Sequence, residues 1–68
     1  MSYSVIWYLE ATNEVQEVAT AATEASARKL FDFHAASIGS DPNYVCGGYD
    51  QSHLELSLNG VVIHWSAL

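Results

Sequence analysis

Basic side chains are almost missing from this chain. Arg28 and Lys29 stand against eight acidic residues among 68, for a formal charge of −6. Two cations cannot neutralise a run of phosphates, so direct nucleic-acid binding is disfavoured. Cysteine is equally scarce. Cys46 stands alone, which excludes an intramolecular disulfide and fits a reducing compartment. No apolar run reaches the roughly 18 residues of a membrane span. No basic n-region precedes the first apolar stretch, which reads against a signal peptide. The expectation is one cytoplasmic domain over residues 1–68, with no linker, repeat or low-complexity tract.

What is present is apolar. Half the residues are hydrophobic and 12% are aromatic, enough to offset chain entropy and to argue against disorder. The segment Tyr3–Glu10 is dense in β-branched and aromatic residues and reads as a strand. Its unbroken run from Val5 to Leu9 suggests cover on both faces. Ala11-Thr12-Asn13 is a turn. Glu14–Ala21 has two readings. Val15, Val18, Ala19 and Ala22 have helical spacing, yet a strand would pair back on the first as a hairpin. The strand is preferred because Thr23-Glu24 looks like a fresh helix start, with Thr23 as N-cap and Glu24 in the first turn.

The helix is expected from Glu24 to about Ser37, with Ala27, Leu30, Phe31, His34 and Ile38 on one face. Gly39 suits its C-terminal cap and Pro42 bars continuation. Tyr44–Asp50 reads as a third strand, with Gly47-Gly48 marking a bulge or a close backbone approach. His53–Leu58 alternates cleanly, and Asn59-Gly60 predicts a type I′ hairpin to a last strand over Val61–Ser66. That turn sets Leu58 opposite Val61, Leu56 opposite Ile63 and Leu54 opposite Trp65, all on the core side. The expected fold is α+β: one antiparallel sheet of four or five strands with one helix on one face, ordered ββαβββ. The expected core is Val5, Trp7, Leu9, Ala27, Leu30, Phe31, Leu54, Leu56, Leu58, Ile63 and Trp65. So small a core argues for association.

Several residues invite a chemical reading. The expected register gathers His53, Glu55 and His64 on the outer face, where two imidazoles and a carboxylate form a possible zinc set. The same residues also read as a solvated patch with a cross-strand Glu55–His64 ion pair. His34, alone on the helix's apolar face, reads as a hydrogen-bonded core residue. Cys46 reads as a buried, inert thiol, since nothing marks a general base or an oxyanion hole beside it. The paired glycines form no phosphate loop. No cofactor motif is present, and the expectation is a non-enzymatic chain.

Charge and apolar surface carry more. Glu10, Glu14 and Glu17 fall at or near the tip of the first hairpin, with Asp32, Asp41 and Asp50 elsewhere. Such a lobe serves either as ordinary solubility charge or as a surface that engages a basic protein groove. A basic groove commonly holds nucleic-acid phosphates, so carboxylates placed there compete with nucleic acid. One helix cannot cover both faces of a sheet, so outward residues such as Ile6, Tyr8 and Val62 suggest a protein partner or a second copy.

In size, acidity, cysteine usage and order of elements, the chain resembles the small anti-CRISPR proteins of phages and mobile elements. The resemblance spans the whole length but rests on no residue motif, so no residue's role is carried over from it. It implies a DNA-mimicking inhibitor of a CRISPR effector complex in a bacterial cytoplasm. The expected partner-binding residues are Glu10, Glu14, Glu17, Asp32, Asp50 and Tyr8. A homodimeric interaction module and a small metal-binding protein are the alternatives.

Overall fold

Two β-rich segments flank one helix, and they assemble into a single antiparallel sheet. The computed structural model describes residues 2–42, 44 and 47–68. Strands β1 (Tyr3–Leu9) and β2 (Glu14–Ala21) precede helix α1 (Glu24–Gly39). A 3₁₀ turn at Tyr49–Gln51 leads into β3 (Ser52–Leu58) and β4 (Val61–Ala67). The strand order is β2-β1-β3-β4, with every neighbouring pair antiparallel. The fold is therefore α+β, with one helix packed on a four-stranded sheet.

Local chemistry explains the helix ends. The Thr23 side chain accepts a hydrogen bond from the Ser26 N–H, and Glu24 occupies the first turn. The helix runs to Gly39, two residues beyond its expected end, and closes through the Ser40 N–H on the Ala36 carbonyl. Ala27 and Phe31 are buried against the sheet, with Leu30, Ala35 and Ile38 packed around them. Val5, Leu54 and Leu56 complete the fully closed core from β1 and β3. Each such side chain contributes about 1.5–3 kcal/mol through its removal from water.

The last hairpin turns where expected. Asn59 and Gly60 adopt φ values of 51° and 84°, as a type I′ turn requires. The first hairpin uses a four-residue loop with Asn13 left-handed at φ 57°. Asparagine tolerates that region better than most side chains.

Two expectations are corrected. The strand expected over Tyr44–Asp50 does not form at its described positions. Tyr44 and Gly47 lie in turns, Gly48 bends the chain at φ 80°, and Tyr49–Gln51 is 3₁₀. Backbone bonds from Tyr44 to Asp41 and from Asp50 to Tyr44 close the segment on itself rather than on a strand. The glycine signal was one of close approach: a Cβ at Gly48 would lie 2.9 Å from the Ala11 Cβ. Cys46 lies outside the described residues. The sheet therefore has four strands, in a ββαββ order.

The second correction concerns register. Leu58 meets Val61 and Ser57 meets Val62, but Leu56 then meets His64, with Ile63 as an extra residue. The bulge turns the rest of β4 over. His64 comes to the helix side, where Phe31 meets it edge-on at 4.8 Å. Trp65 goes to the outer face opposite Glu55 and is 54% exposed. Ile63 and Trp65 are thus surface residues, not core. Trp7, Leu30 and Leu58 are only half-buried. β2 carries a matching bulge, since Val5 meets Ala19 while Ile6 meets Glu17, leaving Val18 as the extra residue.

Candidate functional site

Strand alternation separates the two faces of the sheet. Val5, Leu54 and Leu56 point to the helix, so Ile6, Tyr8, His53 and Glu55 point away from it. Among the described residues no helix covers that outer face. Its centre is a set of stacked rings and carboxylates. Tyr8 and His53 are cross-strand partners whose rings stack at 4.8 Å, only 10° from parallel. Trp65 lies on the other side of His53, at 5.3 Å.

His53 stands between two acids. Its Nδ1 lies 3.0 Å from Glu10 Oε1, and its Nε2 lies 3.4 Å from Glu55 Oε1. An imidazolium serves both carboxylates at once, whereas a neutral ring donates to one. Glu10 reaches this position because its own N–H bonds the Gln51 carbonyl at 3.2 Å, tying the hairpin to the start of β3. Partial burial, reinforced by the neighbouring Glu55 carboxylate, holds the Tyr8 phenol above its usual pKa of 10.0.

Beside this set an open hollow of about 110 Å³ lies at the hairpin end of the sheet. Tyr8, Leu9, Glu10, Glu14, Val15 and His53 contribute to its walls. Its lining combines ring and aliphatic side chains with the carboxylates of Glu10 and Glu14.

The expected partner-binding residues divide. Tyr8, Glu10 and Glu14 meet at the hollow. Glu17 lies opposite Ile6, on the same outer face. Asp50 sits in the 3₁₀ turn next to Gln51, at the same end of the sheet. Asp32 is on the helix layer, exposed and apart from the hairpin. The zinc set does not assemble, because the Ile63 bulge sends His64 to the helix side. Among the described residues no group of three or more His, Cys, Asp or Glu is placed to hold a metal. The ion pair expected between Glu55 and His64 is instead between Glu55 and His53, two residues apart on one strand. His34 is half-buried and meets Phe33 edge-on at 5.3 Å.

Sequence reasoning missed Trp65 as a surface residue and His53 as the link between Glu10 and Glu55. Alternation placed Trp65 inside, and no glycine marks the bulge that moves it out. Among the described residues, no helix is long and apolar enough to cross a membrane.

Charge follows the layers. Both cations, Arg28 and Lys29, lie on α1, and there they balance Glu24 and Asp32. Arg28 Nε sits 3.0 Å from Glu24 Oε2, one helical turn away. The formal charge of −6 therefore arises wholly from the sheet, its hairpin and the loops. Compared with protein families, curated proteins and solved structures, the chain matches no family model, no curated sequence and no solved structure.

Proposed function

We propose that the chain is a non-enzymatic protein-binding inhibitor that presents its acidic hairpin to a cationic groove on a nucleic-acid-handling complex. The observation that carries this reading is the segregation of charge. Glu10, Glu14, Glu17 and Glu55 occupy the hairpin and outer face without a lysine or arginine among them, while the helix layer is neutral. A one-signed surface of this kind steers the approach to a basic partner and sets register on it. Tyr8, lining the hollow between Glu10 and Glu14, supplies an aromatic contact of the kind that anchors protein interfaces. Carboxylates seated in a groove built for phosphates exclude the nucleic acid by occupancy and by like charge.

The resemblance to anti-CRISPR proteins makes a CRISPR effector complex the first partner to try. The test is competition. Tagged chain is incubated with nuclease-treated bacterial lysate containing expressed effector complexes, and the captured complex is then offered target DNA. Occlusion predicts that prior binding of the chain blocks DNA binding, and that excess DNA displaces the chain. A captured complex that binds DNA normally while retaining the chain would rule occlusion out.

A further inference from the structure

β4 differs from every other strand in being bare. Helix α1 lies over β2, β1 and β3, and it meets β4 through the Phe31–His64 ring contact. Val61, Val62, Ile63 and Trp65 are 65%, 48%, 37% and 54% exposed. The strand ends the sheet, so its outer side presents unpaired N–H and C=O groups. Of the usual guards of a free edge, β4 has the bulge at Ile63 but no proline, lysine, arginine or acidic residue in Val61–Ala67.

We infer that β4 pairs with β4 of a second copy, antiparallel about a two-fold axis, to make one continuous eight-stranded sheet. Charge selects this occupant and this edge. Two molecules of charge −6 repel wherever their acids meet, and β4 is the edge strand without an acid, whereas β2 carries Glu14 and Glu17. Pairing through β4 puts β2, with Glu14 and Glu17, at the far ends of the joined sheet, three strand spacings or about 14 Å from its own β4, and leaves Glu55 on β3 as the acid nearest the seam. A further observation is the small closed core: among the described residues its cluster holds five buried side chains, in a chain that is half hydrophobic. Domains of this size commonly gain stability by association.

Symmetry fixes the pairing further. A two-fold that keeps both helices on one side of the sheet must match outward residues with outward residues. Centred on Trp65, it sets that ring against its own copy, with His64 opposite the partner's Ser66. Cross-strand aromatic pairs of this kind stabilise a sheet.

Sedimentation over a range of concentrations tests the proposal. A dimer is expected, and its share should rise with salt as repulsion between the acidic copies is screened. That is the opposite salt trend to partner capture by the hairpin, so the two readings fail independently. Trp65→Lys should weaken association tenfold or more while leaving the circular dichroism spectrum unchanged. In a Cys46→Ser background, mild oxidation should cross-link Trp65→Cys into a covalent dimer. Val15→Cys on the β2 edge, as exposed as β4, should stay monomeric. A folded monomer at every concentration and salt, or a dimer untouched by Trp65→Lys, would overturn the proposal.

Discussion

β2 and β4 both end the sheet, and both carry one extra residue against an inner strand, at Val18 and at Ile63. There the likeness stops. β2 lies under the helix, turns Val18 and Ala19 into the core together, and keeps Glu14 and Glu17 on its exposed positions. β4 lies beyond the helix and exposes apolar side chains along nearly its whole length. The same bulge thus serves opposite ends. On β2 it gathers apolar side chains inward, and on β4 it turns Trp65 outward. What separates a guarded edge from an open one here is helix cover and charge, not strand geometry.

The largest predicted effect breaks the contrast between inner and edge strands. Leu54→Ala opens a cavity in a fully closed core and should cost about 2–5 kcal/mol. Val61→Ala on β4 should stay within about 0.5 kcal/mol in the monomer. Urea denaturation of both variants checks the pair, and equal losses would mean that β4 is buried after all.

The next effect compares the two turns. Gly48 and Gly60 share a left-handed backbone, at φ 80° and 84°. Only at Gly48 does a new Cβ meet another chain segment, the Ala11 methyl group at 2.9 Å. Gly48→Ala should therefore cost about 1–3 kcal/mol, and more than Gly60→Ala, whose cost is backbone strain alone. The difference measures how firmly the 3₁₀ segment holds the acidic hairpin. Smaller still is the helix cap: Thr23→Ala should cost about 1 kcal/mol in thermal unfolding.

The smallest effect is alkaline and belongs to the outer face. The raised Tyr8 pKa means that the folded chain holds the phenol proton more tightly than the unfolded chain does. Its contribution is complete below about pH 10 and is lost as pH rises through the folded value. Tyr8→Phe should flatten that alkaline loss, as measured by the urea midpoint against pH.

These contrasts also mark what the sequence makes legible. Thr23, Asn59-Gly60 and the alternating leucines of β3 announce the helix start, the last turn and the inner strand, because each signal is local. The helix-like spacing of Val15, Val18 and Ala19 has another origin: a bulge places Val18 and Ala19 on the core side of a strand. The bulge at Ile63 carries no glycine and reverses the side-chain order after it. Trp65 was therefore expected inside, and the His53, Glu55, His64 set was expected together. Of the acidic positions, Glu10 and Glu14 follow from the hairpin alone. Their link through His53 to Glu55 depends on β3 lying beside β1, a pairing between distant segments that no local pattern specifies.

The decisive measurement for the acidic hairpin compares wild type with a Glu10→Lys, Glu14→Lys, Glu17→Lys chain in capture of effector complexes across a salt series. If the hairpin is the working end, wild-type capture falls as salt rises and the charge-reversed chain captures nothing, although it melts as a folded protein. Equal capture by the two chains, or capture indifferent to salt, would contradict charge mimicry by the hairpin.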